Sequence, residues 1–412
     1  MLTFKNFITE QKNTHMTHLE DLVIDAGVDG ARQAINALRA LRNMLAGNSG
    51  STNVSVKWDG APAVFAGIDP NDGQFFVAKK GIFAKNPKVY KSHADIDADT
   101  SGDLNAKLKL AYDNLKGLGI TGVIQGDFMF DSKDLKKETI DGESYVTFHP
   151  NTIVYAIPSN SNLAKQITKA KIGIVWHTTY TGGSFETMRA EFGREIVPKL
   201  KQSSNVWMVD ATLPDLSGSA TLSKAETDAI TAKLSDAGKI FRKISSGVLK
   251  TIGEDSDLNM MINVFNNTKV RQGQRITDTK KHVDELIQYV NDRFQKEIDK
   301  RSSVKGKESQ EAKRDKILAF FNNINKAQLK SVFDLQNIIV DVKLVLINKL
   351  NQLSNISTFV KTKNGFKVTN PEGFVAIDHM SGGAVKLVDR MEFSANNFNP
   401  EIIKGWDSPG RG

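Results

Sequence analysis

A lysine and an aspartate interrupt the apolar stretch between Val54 and Gly67, in the run Lys57-Trp58-Asp59-Gly60. Val54 and Val56 precede it and Ala63 to Phe65 follow it, so the pattern predicts a strand over Val54 to Val56, a turn at Asp59-Gly60 and a second strand from Ala63. Asp-Gly is a common turn dipeptide, and by itself the run reads as an ordinary β-turn beside a solvated lysine. The chemical alternative is that the Lys57 amine is a nucleophile. At its usual pKa of about 10.4 a lysine is almost wholly protonated, so this role needs burial and neighbouring cations that favour the neutral amine.

Three further places put charge inside apolar strands. Gly126-Asp127 lies within Ile124 to Phe130, Glu372-Gly373 heads the run to Val375, and Lys386 stands between Val385 and Leu387. A carboxylate or ammonium on a buried strand costs several kcal/mol of desolvation unless it meets a partner, a metal or a ligand. Four such insertions point to one shared charged pocket.

The elements that must position these residues follow from periodicity. Leu19 to Leu45 carries apolar residues at helical spacing, with Gly27 and Gly30 marking a break. From about Asn53 to Val209 short β-branched and aromatic runs alternate with helical patterns at Leu104 to Leu118 and Phe185 to Leu200, which reads as α+β with a largely antiparallel sheet. Beyond Pro214 the pattern turns helical. Val283, Leu286, Ile287, Val290, Phe294 and Ile298 form one stripe, and Leu329, Val332, Phe333, Ile338, Ile339, Val342, Val345, Leu346 and Leu350 another. Strand texture returns near Phe359. The expected organisation is an N-terminal helical segment (1–50), a sheet-containing domain in two parts (51–214 and 356–412), and an all-α domain inserted at 215–355.

The chain has 412 residues, no cysteine and a formal charge of +8 from 55 basic and 47 acidic residues. Disulfide and thiolate chemistry are therefore excluded, and a reducing, cytoplasmic setting is expected. The mild basic excess favours a polyanionic partner. No apolar run approaches the roughly 20 residues that span a bilayer, and the opening residues lack the features of a secretory signal, so neither membrane insertion nor export is expected.

In order along the chain, Lys57-Trp-Asp-Gly60, Gly126-Asp127, the strand Gly173-Ile-Val-Trp-His177, Glu372-Gly-Phe-Val375 and Lys386 resemble the signature of the covalent nucleotidyltransferases. These comprise the ATP-dependent DNA and RNA ligases and the mRNA capping enzymes. The resemblance covers about 53–210 and 358–393 and implies an ATP-grasp-like nucleotidyltransferase domain. It implies that Lys57 attacks the α-phosphorus of ATP, releases pyrophosphate and stores AMP as a phosphoramidate for transfer to a 5′-phosphate. Lys386 would neutralise charge on the α-phosphate. Glu372 and Asp127 would hold Mg²⁺ or a ribose hydroxyl, Trp176 or a nearby aromatic would stack on the purine, and Lys79 and Lys80 would face the incoming phosphate. Asp59 and Gly60 complete the expected nucleotide-binding set.

This chain also departs from the family pattern. Asp127 stands where glutamate is usual, Ala61-Pro-Ala63 replaces the arginine common in DNA ligases, and only Arg390 is near enough to substitute for a second strand lysine. The stretch after Lys386 is too short for the appended five-stranded barrel of DNA ligases and capping enzymes, which favours an RNA ligase-like protein. The alternatives are a DNA nick ligase, another nucleotidyltransferase, or a non-catalytic virion or nucleic-acid-binding protein that keeps the fold. RNA is the expected nucleic-acid partner ahead of DNA. The helical insert, basic around Lys269, Arg271, Arg275, Lys280, Lys281, Lys313 and Arg314, is the expected surface for nucleic acid or for a phage protein partner. Phe4 to Glu10 resembles the start of proteins from large tailed bacteriophages, with host cytoplasm or virion as the setting. His15 and His18 share a helical spacing, but two histidines without a third ligand make a weak zinc site.

Overall fold

The structure is a computed structural model that describes residues 16–48, 52–213, 222–352, 356–378 and 383–405. Its strands, in chain order, are β1 (Thr52–Lys57), β2 (Ala63–Ile68), β3 (Phe75–Ala78), β4 (Val123–Asp131), β5 (Lys136–Ile140), β6 (Glu143–Phe148), β7 (Ile153–Pro158) and β8 (Ile172–Thr181). They continue with β9 (Arg189–Phe192), β10 (Val206–Asp210), β11 (Ser357–Thr362), β12 (Gly365–Val368), β13 (Gly373–Asp378), β14 (Gly383–Leu387) and β15 (Ile402–Ile403). Three sheets result. The first has the order β1-β13-β14, the second β10-β8-β4-β2-β3 with β9 beside β8, and the third β12-β11-β7-β6-β5 with β15 beside β11. Pairing is antiparallel except between β8 and β10. The class is α+β with mainly antiparallel sheets.

Strand alternation gives the small first sheet two different faces. Val54, Phe374, Ala376, Val385 and Leu387 point into one large apolar core, together with the helix Gly27–Leu45 and the helices between Lys224 and Asn351. Ser55, Lys57, Val375 and Lys386 occupy the other face, because Ser55 pairs with Val375 and Val375 with Lys386. The helical block is thus the backing of the sheet that carries the lysines, and its core is continuous with the N-terminal helices. Most of both predicted stripes is buried in this core, from Val283 to Phe294 and from Leu329 to Leu350, with Ile287 and Ile338 only partly covered and Val345 exposed at the edge of its helix face.

One predicted element is replaced. Phe185 to Leu200 is not a helix: β9 and a short 3₁₀ turn, Val197–Lys199, occupy it. Phe185 and Met188 fill a satellite cluster under β3, and β9 completes its hydrogen bonds on β8, so tertiary pairing overrides a helix-like spacing. Strand β5 carried no sequence signal, since its pattern is mostly exposed and polar.

Candidate active site

Lys57 is the last residue of β1 and pairs with Gly373, which places the preceding Glu372 beside its amine. Lys57 Nζ and a Glu372 carboxylate oxygen form an ion pair, with the side chains 26% and 9% exposed. Gly373 has φ +143°, and a Cβ there would stand 2.6 Å from the Leu387 carbonyl oxygen, so glycine is required for β13 to start so close to β14.

The loop after Lys57 is tied to all three sheets. Ala61 donates its N–H to the Phe128 carbonyl (3.0 Å), and Phe128 returns one to Pro62 (3.0 Å), extending the second sheet. Asp59 turns the other way, to the third. Its carboxylate accepts from Asn151 Nδ2 (2.8 Å), Thr152 N (2.7 Å) and Ile153 N (2.9 Å), and its own N–H donates to the Tyr155 hydroxyl (2.7 Å). Gly60 passes against β4, where a Cβ would meet that of Asp127 at 2.5 Å. Trp58 covers the junction by packing on Tyr155, with ring centroids 5.0 Å apart. The Lys57 backbone is therefore fixed where three sheets meet.

A cavity of about 1010 Å³ opens in front of Lys57. Ser55, Lys57, Val375 and Ile377 of the first sheet line one side, and Ala63, Gln125, Asp127 and His177 of the second line the other. Lys79 and Lys80 also line it. Lys79 bonds to Asp99 at 3.0 Å, whereas Lys80 is exposed. Asp59 and Glu372 lie behind Lys57, around a second cavity of about 20 Å³. Lys386 is reached through Val375, in the row Ser55-Val375-Lys386.

Electrostatics corrects one expectation, that Lys57 is held neutral. Burial favours the neutral amine, but the Glu372 carboxylate, then Asp127 and Asp59, outweigh it and push the Lys57 pKa up. Burial pushes the Glu372 carboxyl up to about 7 against the pull of Lys57. Burial, then the Lys57 charge, push the Lys386 amine down. The site holds an ammonium beside a carboxylate whose proton affinity lies close to neutral pH.

Trp176 is the second correction. Its side chain is fully buried, in the core beneath the helix Gly102–Leu115, and not in the cavity. Gln125 pairs with Thr178 while Gly126 pairs with Trp176, so His177 is the extra residue of a β-bulge and turns toward the cavity in place of Trp176. The cavity-lining aromatics are instead Trp58 and Phe192. His177, Gln125 and Phe192 carried no sequence signal of their own, because their placement depends on that bulge. His177 Nε2 lies 3.8 Å from Asp127 Oδ2.

Other expectations have definite places. Arg390 does not reach the site: it bonds to Asp21 at 2.7 Å and to Asn267. In the helical block, Lys269 pairs with Glu285 at 2.7 Å and Arg314 with Asp315 at 3.0 Å, which partly neutralises that surface. His15 lies outside the described residues; His18 sits beside β14, and burial lowers its pKa to about 3. Among the described residues no three His, Cys, Asp or Glu side chains cluster to hold a metal, and no helix is long and apolar enough to cross a membrane. The carboxylates of Asp127 and Glu372 both act on Lys57; Asp127 lines the large cavity, where its hard oxygens suit Mg²⁺ when phosphate and water supply the remaining ligands, whereas Glu372 is engaged by Lys57 beside the small one.

A model of a family of unknown function, DUF6267, matches residues 13–402. No curated protein and no solved structure matches the chain.

Proposed function

The chain belongs to that family of unknown function, and we propose that it is an ATP-dependent, RNA ligase-like nucleotidyltransferase acting through a covalent Lys57 adenylate. The observation that carries this reading is the Lys57–Glu372 ion pair at the wall of a cavity of about 1010 Å³ that also carries Lys79, Lys80 and Asp127. A nucleophilic amine needs a proton acceptor and a triphosphate needs cations, and this cavity supplies both.

In the proposed step the Lys57 proton passes to Glu372, whose raised proton affinity suits it as the base. The freed amine attacks the α-phosphorus, an N–P bond forms, the P–O bond to the β-phosphate breaks, and pyrophosphate leaves. Lys80 is placed to meet the triphosphate, and Lys386 stands by Lys57 to balance charge on the α-phosphate. Mg²⁺, held by Asp127 with phosphate and water oxygens, would neutralise phosphate charge, and Glu372 stays free of metal to take the proton. The Asp59 cradle keeps the Lys57 backbone still while its amine reacts. AMP then passes to the 5′-phosphate of a polynucleotide, with RNA as the proposed substrate.

A second reading, a nucleotide- or nucleic-acid-binding protein without turnover, is favoured by the engagement of Arg390 elsewhere, which leaves Lys386 without a second strand cation. Incubation with Mg²⁺ and α-labelled ATP separates the two. The enzyme retains label on the denatured chain, and Lys57→Ala and chelation of the metal each abolish it. Nucleotide binding without covalent label supports the second reading.

A further inference from the structure

Among the described residues Phe398 is the one exposed Phe, Tyr or Trp side chain, at 63%, where every other such ring is buried or half-buried. It closes the helix Arg390–Phe398, and the residue before it, Asn397, lines the large cavity. Arg271, the last residue of the helix Ser256–Arg271, reaches the ring, with its guanidinium carbon 5.7 Å from the centroid. Arg271 is itself exposed, and among the described residues no carboxylate pairs with it.

From Phe398 the chain turns directly into the cavity wall. Ile402 donates its N–H to the Asn399 carbonyl (3.2 Å), β15 pairs with β11, and Gly405 donates to the Asn151 carbonyl (2.7 Å). These bonds fix the backbone of Lys404, which lines the cavity beside Asn151 and, among the described residues, has no carboxylate partner. Glu401 is the one carboxylate between Phe398 and Lys404, and it is exposed. Two unpaired lysines thus enter one cavity from different sheets, Lys80 after β3 and Lys404 after β15. A triphosphate at Lys79 and Lys80 leaves Lys404 for a second anion.

We infer that Phe398 and Arg271 form a docking surface for a single-stranded polynucleotide, which enters the cavity past Asn397 and sets its 5′-phosphate on Lys404. This rests on the proposed function, from which the 5′-phosphate acceptor is taken. A phenyl ring and a guanidinium both present planar faces on which an unpaired base stacks, and the guanidinium also draws the phosphate backbone. A duplex keeps its bases stacked on one another and offers no such face, so the occupant is a single strand. A lone ring beside a charged group also lacks the contiguous apolar area that marks a surface for a protein partner. The strand runs from the end of the helical block to the cavity that holds Lys57, with its terminal phosphate leading.

The test is fluorescence-anisotropy titration of the full chain with one short RNA, labelled at its 3′ end, in three forms: 5′-phosphorylated, 5′-hydroxyl, and annealed to its complement. The wild type is expected to bind the 5′-phosphorylated strand most tightly. Phe398→Ala weakens both single strands by about fivefold or more, and Phe398→Trp keeps wild-type affinity. Arg271→Gln lowers the slope of log affinity against log salt by about 0.7, and Lys404→Gln erases the advantage of the 5′-phosphate. Urea midpoints confirm that each variant is folded. Strand affinity unchanged in Phe398→Ala, a duplex bound as tightly as the single strand, or a phosphate advantage that survives Lys404→Gln overturns the inference; the first is also the result if the ring serves a protein partner. Strand binding through these residues without covalent labelling of the wild type by ATP leaves the surface standing and removes the transferase reading; labelling without strand binding does the reverse.

Discussion

Lys343 Nζ lies 2.9 and 2.8 Å from the two carboxylate oxygens of Glu20, a residue 323 positions earlier in the chain, and both side chains are buried. The pair clamps the N-terminal segment to the helix Asn323–Asn351. Just before Glu20 the same segment exchanges backbone hydrogen bonds with Lys386, whose N–H donates to the Thr17 carbonyl at 3.2 Å. The N-terminal segment is thus joined to the helical block by a buried ion pair and to β14 by backbone hydrogen bonds.

Removing Lys343 leaves the buried Glu20 carboxylate with only the more distant Arg390, at 3.7 Å, as an ion-pair partner. Lys343→Met is expected to destabilise the protein by about 3–5 kcal/mol, and Glu20→Leu combined with Lys343→Met to restore most of the loss, both read by urea denaturation. Burial raises the Glu20 carboxyl, but Lys343, then His18 and Arg390, outweigh it and lower it from 4.5 to about 2. The stabilisation from Glu20 is therefore present above pH 4.5 and is lost as pH falls through about 2. A double variant that melts in acid as the wild type does would remove Glu20 from that account.

Asp59 accepts two backbone N–H groups and one amide, so Asp59→Ala strands three donors. We expect a loss of about 3 kcal/mol or more in thermal unfolding, and a larger drop in covalent labelling than Asp59→Asn produces. Equal labelling by the two variants would show that the cradle does not position Lys57.

Glu372 gives the site a pH dependence of the opposite sign. Its folded-state pKa is raised from 4.5 to about 7, so its stabilising effect is full below pH 4.5 and disappears as pH rises through about 7. Labelling should rise over the same interval, as the carboxylate becomes able to accept the Lys57 proton. Glu372→Gln should flatten the stability profile between pH 5 and 8 and suppress labelling. A labelling profile flat across that range in the wild type would exclude Glu372 as the base.

Trp176 is core. Trp176→Ala is expected to cost about 3–5 kcal/mol in stability, while nucleotide affinity measured on the folded protein stays at its wild-type value. A selective loss of adenine-nucleotide affinity without destabilisation would return this ring to the site.

By itself the sequence determined which residues carry unusual charge. Lys57, Glu372 and Lys386 stand out because they break apolar strands, and the helical stripes stand out because a period near 3.6 persists over many turns. Facing and partnership were decided in three dimensions. Trp176 and Asp127 lie on adjacent strands and end on opposite faces, because the bulge at His177 shifts the register by one residue, and alternation within one strand carries no information about that shift. Tertiary structure likewise made Lys57 an ammonium, since the sign of its pKa shift depends on how near Glu372, Asp127 and Asp59 come, and strand pairing sets that distance. It also made the helical block the backing of the sheet that carries Lys57, because an apolar stripe records that a surface is covered and leaves open which surface covers it.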